Sequence, residues 1–200
     1  MIKIISPKDF KTIPWKNGLG ETTELAINEG ANLDNFIWRL SIASVVNNGV
    51  FSDFSGYHRN LVLIEGKGIS LQYDGKNSDR LVNSLDIASF DGGSKTQGQL
   101  VDGAIKDFNI ITSHGKVSPQ VDCYLEPQQV VIKLLVNNLY FAYSLTDDIA
   151  VQVSEQENTL VPVGHLVKLS TKYSGLKDEP STVGLTGTNM IVVQLKIMNE

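Results

Sequence analysis

Apolar and β-branched residues in this sequence come in short runs cut apart by clusters of Gly, Asn, Asp and Ser, and that punctuation points to an all-β fold. The runs are Phe36 to Val46, Asn60 to Ile64, Ile69 to Tyr73, Asp107 to Thr112, Val130 to Val136, Tyr140 to Leu145, Ile149 to Val153, His165 to Ser170 and Met190 to Ile197. Apolar residues at helical spacing are scarce. Only Ser6 to Lys11, with Ser6 as cap and Pro7 in the first turn, reads as a short helix. A hydrophobic share of 42% over 200 residues suffices for one large or two small cores.

An ungapped offset of eighty residues superposes Ile69 on Ile149, Leu71 on Val151, Gln72 on Gln152, Leu81 on Val161 and Ile87 on Val167. Two related lobes would produce this, and so would chance agreement between alternating hairpins. The stretch Ser113 to Gln129, with Pro119 and Pro127, reads as the crossover, which gives lobes of 1–118 and 119–200.

The formal net charge of -5 and the absence of a basic cluster argue against nucleic-acid binding. The single cysteine, Cys123, cannot close an intrachain disulfide, and no cation beside it would activate its thiol. Lys3 to Lys16 is mixed and polar, and no run approaches the length of a membrane span. The expectation is a cytoplasmic protein with no membrane partner.

The polar positions within the strands carry more information. Alternate residues of a strand share a face, so Thr22 and Glu24 lie together, as do Arg39 and Ser41, and Asp107 and Asn109. The opposite faces hold bulky apolar residues such as Trp38, Leu40, Phe108 and Ile110. A solvated exterior is one reading of these polar faces. The other is a polar lumen, because lysine is largely absent and Glu, Arg, Ser, Asp and Asn can hydrogen-bond to one another. Arginine holds a carboxylate through two parallel hydrogen bonds, which makes Arg39 and Arg59 the candidates for an anion. If Glu24 and Asp107 share the lumen, one arginine neutralises them; Arg59, at the exit of the Gly56-Tyr57-His58 turn, is expected near a rim as the free clamp.

Upstream, Pro14-Trp15-Lys16-Asn17-Gly18-Leu19-Gly20 lets the backbone turn sharply and expose N–H groups, yet lacks the Gly-Lys-Ser/Thr ending of a phosphate loop. Trp15 reads either as a pocket wall or as a core anchor. His58, His114 and His165 are isolated, with no His-x-His pair to converge on one ion, so neither a metal nor another cofactor is expected. No nucleophile motif is present.

Taken in order, Trp15-Lys16-Asn17-Gly18-Leu19-Gly20-Glu21-Thr22-Thr23-Glu24, Trp38-Arg39-Leu40-Ser41, Gly49-Val50-Phe51-Ser52-Asp53-Phe54-Ser55-Gly56 with Arg59, Leu63-Ile64-Glu65-Gly66 and Asp107-Phe108-Asn109 closely resemble the HutD/Ves family of the cupin superfamily. The resemblance implies a bicupin, that is, two double-stranded β-helix (RmlC-like jelly-roll) barrel lobes in one chain. It also implies a ligand pocket lined by Lys16, Asn17, Gly18, Gly20, Thr22, Glu24, Arg39, Ser41, Arg59, Asp107 and Asn109. HutD relatives are linked to bacterial histidine utilisation and Ves relatives to cold and stress response. A metal-free binder of a small anionic metabolite of the urocanate or formylglutamate type follows as one expectation. A cofactor-independent isomerase or lyase using Glu24, Asp107 or His58 is the other. Strand edges need cover, so a homodimer is a further expectation.

Overall fold

The computed structural model describes residues 1–15, 20–154, 157–171 and 182–198. It is all-β, and among those residues there is no α-helix long and apolar enough to cross a membrane. The segment read as a helix is a single 3-10 turn, Pro7–Asp9, closed by the Asp9 N–H on the Ser6 carbonyl. It stops there because Lys11–Pro14 is already paired as a strand.

The chain divides into two compact units, Phe10–Val117 and Met1–Asp9 together with Ser118–Glu200. In the first, a six-stranded antiparallel sheet runs in the order β2 (Lys11–Pro14), β3 (Gly20–Ile27), β4 (Trp38–Val45), β11 (Ile105–Ser113), β6 (Tyr57–Glu65), β9 (Ile87–Asp91). A four-stranded sheet, β5 (Gly49–Val50), β10 (Thr96–Leu100), β7 (Ile69–Tyr73), β8 (Asn77–Leu81), packs on its inner face. Ala43, Leu61, Leu63 and Ile105 of the larger sheet meet Ile69, Leu71 and Leu81 of the smaller, all of them buried.

In the second unit the larger sheet runs β1 (Ile2–Ile5), β17 (Leu166–Leu169), β14 (Asn138–Ser144), β19 (Met190–Ile197), β12 (Val117–Tyr124). The smaller runs β13 (Gln128–Lys133), β18 (Thr182–Gly187), β15 (Ile149–Ser154), β16 (Glu157–Val161). The order β9-β6-β11-β4 of the first unit corresponds to β17-β14-β19-β12 of the second, and β5-β10-β7-β8 to β13-β18-β15-β16. The eighty-residue offset reflects the same correspondence, since Ile69 pairs with Leu81 just as Ile149 pairs with Val161.

Two boundaries differ from those read in the sequence. Residues 1–9 sort with the C-terminal half rather than with a 1–118 lobe, because Ile2–Ile5 pairs with Leu166–Leu169. The expected crossover, Ser113 to Gln129, contains the regular strand β12. Its Pro119 falls on an edge strand, the position in a sheet where proline is tolerated.

The interiors also differ. In the second unit Ile132, Tyr140, Ile149, Val151, Val167, Leu185 and Val192 fill the space between the sheets, and its buried polar residues among those described are Asn138 and Ser144. In the first unit, one end of the inner face is built from charged and amide side chains instead.

Candidate functional site

Register explains how the polar side chains meet. Asn109 lies opposite Ser41 on β4 and Leu61 on β6, while Ile111 lies opposite Arg39 and Arg59. Glu24 lies opposite Ser41 and Thr22 opposite Ala43. Period two therefore turns Thr22, Glu24, Arg39, Ser41, Arg59, Asp107 and Asn109 to one face. A β-bulge between Glu24 and Ala26 brings Ile27 into register with Arg39, so Ile27 leaves the face it would share with Thr23 in an unbroken strand. The polar face points into the unit: Arg39 is 5% exposed, Arg59 5%, Asp107 1%, and Ser41 and Asn109 are likewise buried. That excludes a solvated exterior. The opposite face, with Trp38, Leu40, Phe108 and Ile110, is buried as well.

These residues line a cavity of about 450 Å³. Thr22, Arg39, Ser41, Arg59, Asp107 and Asn109 form its polar wall; Trp15, Val50, Phe51, Phe54 and Ile111 form much of the apolar one. Trp15 is both wall and anchor, because it packs against the core and donates its indole N–H to Thr22 Oγ1 at 2.8 Å. Gly20 allows this approach: a Cβ there would lie 3.0 Å from the Trp15 ring and would overlap the Ser44 carbonyl oxygen.

The two arginines are held differently. Arg39 Nε donates to Glu24 Oε2 at 2.8 Å, in an ion pair with little exposure. Glu24 is therefore a partner of Arg39 rather than part of the lining. Arg59 donates from Nη2 to Asn109 Oδ1 at 2.9 Å, and Asn109 in turn donates from Nδ2 to Asp107 Oδ1. Arg59 Nε and Asp107 Oδ2 are buried with no hydrogen-bond partner among the described residues. Three rings surround the Arg59 guanidinium, with Phe51, Phe54 and Phe90 centroids at 5.3, 5.4 and 5.2 Å.

Burial lowers Arg59 to about 10, against the favourable charge of Asp107. Burial likewise raises Asp107 to about 7, although Arg59 and the hydrogen bond from Asn109 both favour its ionised form. Asp107 is thus a carboxyl poised near neutrality. Arg59 is not at a rim, because β6 begins two residues earlier at Tyr57 and strand parity turns Arg59 inward with Leu61 and Leu63.

His58 stands outside the constellation. It is on the other face of β6, with Nε2 2.9 Å from Ser89 Oγ and its ring 6.4 Å from that of His114. Burial and neighbouring His114 lower its pKa. It cannot act with Glu24 and Asp107 on one molecule. His114 lies 3.7 Å from Asp91, and His165 Nδ1 is 3.3 Å from the Val163 carbonyl. The Cys123 thiol is pushed up to about 12 by burial and by Asp122. Among the described residues no group of three His, Cys, Asp or Glu could hold a metal ion. The cavity's own donors are two arginines with hydroxyl, amide and carboxyl groups, a set that does not fit a cation. Lys16, Asn17 and Gly18 lie outside the described residues.

Compared with known proteins, the sequence matches the HutD family over residues 7–178. The chain belongs to the HutD family. A Pseudomonas putida protein described as an uncharacterized 21.2 kDa protein in the hutC 3' region is 41% identical over 110 residues, covering 55% of this chain and 57% of that protein. Protein Ves of Escherichia fergusonii is 39% identical over 108 residues, covering 52% of this chain and 56% of Ves. The chain thus spans little more than half the length of these relatives. The solved structure of HutD from Pseudomonas fluorescens SBW25 superposes over all of both chains with a TM-score of 0.80 at 27% identity, which places the fold among the cupin-like β folds.

Within this HutD fold the segment Gly49 to Gly56 acquires a physical role. Asp53 accepts from the Ser55 N–H and hydroxyl, both at 2.7 Å, and fixes a turn that presents Phe51 and Phe54 to Arg59. Phe54 is steadied edge-on by Phe36 and Tyr57. Gly98 on β10 leaves room for Phe51, since a Cβ there would lie 2.6 Å from that ring. The aromatic enclosure is the part that reading strands one at a time misses. Its third member, Phe90, reaches Arg59 only through the β6–β9 register, in which the two are opposite.

Proposed function

We propose that the cavity of the Phe10–Val117 unit binds a small carboxylate metabolite and that the protein is a ligand-sensing regulator associated with histidine utilisation. One observation carries this reading: Arg59 is buried in a cavity, caged by three rings, with an unpartnered Nε, while the neighbouring Arg39 is neutralised by Glu24. An arginine guanidinium matches a carboxylate through two parallel hydrogen bonds. The aromatic rings fix its plane, and the apolar wall suits a short carbon skeleton. Family membership and the relative in the hutC 3' region support urocanate or formylglutamate as the ligand type.

The test is calorimetric titration with urocanate, N-formylglutamate and formiminoglutamate. Saturable binding of at least one, lost in Arg59→Met, is expected; no binding, or equal binding by the variant, refutes the reading. A second reading, a cofactor-independent isomerase or lyase, is favoured by Asp107 alone, a buried carboxyl near neutrality. Incubation with the same compounds, followed by urocanate absorbance and product masses, separates the two, since a binder leaves every trace flat.

A further inference from the structure

The pairing of charges in the cavity constrains how an anion can enter. Arg39 is committed to Glu24 at 2.8 Å. Arg59 is therefore the one arginine of the lining outside an ion pair among the described residues, and Asp107 stands one amide away through Asn109. A carboxylate docked on Arg59 would put two anions beside one free guanidinium, in a space walled by aromatic rings. Two carboxylates sharing one cation at such burial do not both stay ionised. The ligand can take two hydrogen bonds from Arg59, whereas Asp107 receives one from a neutral amide and none from Arg59. The ligand keeps the charge, and Asp107 has an unpartnered buried oxygen, Oδ2, on which to accept a proton.

We propose that a carboxylate ligand enters this cavity together with one proton from solvent, taken up on Asp107, which removes Asp107 as a second anion beside Arg59. This rests on the cavity being a carboxylate site. Asn109 on its own strand and Arg59 from β6 act directly on Asp107; Arg39 and Ser41 from β4 and Thr22 from β3 line the same cavity, Glu24 from β3 is bound to Arg39, and Tyr73 from β7 interacts with Arg59. Arg59, lowered to about 10, keeps its proton across neutral pH. Tyr73 does too, held well above the ordinary phenol range by burial and by donating to Asp79. Lys106 lies on the other face and is engaged with exposed Glu65. Asp107, already raised to about 7, is the group positioned to respond.

The dissociation constant should then rise about tenfold per pH unit above the point at which Asp107 ionises in the free protein, and be flat below it. Calorimetry of the full chain with N-formyl-L-glutamate, whose carboxyls stay ionised throughout, in Tris and in triethanolamine at about pH 8.5 counts the protons from the difference in apparent enthalpy. The wild type should take up about one proton; Asp107→Asn should take up none and lose the pH dependence. The wild-type comparison decides even where the variant does not fold. Binding that takes up no proton and has the same affinity at about pH 6.5 and 8.5 overturns the coupling and leaves the carboxylate site standing. Proton uptake that persists in folded Asp107→Asn overturns the assignment to Asp107. No binding of N-formylglutamate, urocanate or formiminoglutamate overturns both readings.

Discussion

Replacing Asp107 with asparagine should stabilise the protein, and by an amount that depends on pH. A carboxyl whose folded value lies above its unfolded one holds its proton more tightly in the native state. Its contribution is therefore favourable at low pH and is lost as pH climbs from the unfolded value through the folded one. For Asp107 that window runs from an ordinary 3.8 to about 7. At roughly 1.4 kcal/mol for each tenfold change in acidity, ionising Asp107 in place costs on the order of 4 kcal/mol once the pH exceeds the folded value. Water entering the cavity lowers this, so about 2 to 4 kcal/mol is the expected gain at about pH 8, vanishing near pH 4. Asparagine is the right probe because its Oδ1 keeps the bond from Asn109, while its amide nitrogen replaces an oxygen that has no partner to lose. Urea unfolding of both proteins at several pH values gives the difference directly, and titrations elsewhere in the chain cancel. A variant less stable than the wild type at about pH 8, or a difference that does not change with pH, would refute the reasoning.

Arg39→Met should lower stability by about 2 to 4 kcal/mol, because it leaves Glu24 without its cation; adding Glu24→Gln should restore much of that, as measured by urea denaturation. Gly98→Ala forces Phe51 aside and should weaken carboxylate binding up to about fivefold by calorimetry, with a stability loss near 1 kcal/mol. Leu185→Ala opens a cavity in the second unit and should cost about 2 to 5 kcal/mol in urea unfolding, with the dissociation constant of the folded protein unchanged.

The polar face was legible in the sequence because strand geometry has period two and the residues on it are of kinds that bond to one another, with few of the lysines that mark a solvated surface. The sequence singles out Arg59 as the free arginine, but from an expected rim position rather than from what frees it. That depends on β3 and β4 aligning Glu24 beside Arg39, and on the bulge at Glu24/Ala26. Arg59 looked like a turn residue because Gly56 precedes it closely, yet β6 already begins at Tyr57. The strands β8 and β10 escaped detection for a different reason. Residues such as Asn77, Ser78, Gln97 and Gly98 have weak β propensity and are held in place by neighbours rather than by their own preferences. His58 was drawn toward the site by adjacency in sequence, and one residue along a strand is enough to put it on the opposite side.

The pairing of Ile2–Ile5 with Leu166–Leu169 sets a timetable for synthesis. Ile2–Ile5 is synthesised ahead of every other strand of its sheet, all of which lie beyond residue 116. At roughly 5 to 20 residues per second, β1 waits on the order of ten seconds or more for its partner. In that interval Phe10–Val117 emerges complete and can bury its own core. A nascent chain arrested once Val117 has cleared the exit tunnel, and before Leu166–Leu169 is made, should therefore carry a formed cavity and an unpaired first strand. Slower translation would lengthen the interval between completion of the Phe10–Val117 unit and arrival of Leu166–Leu169, and with it the exposure of that edge.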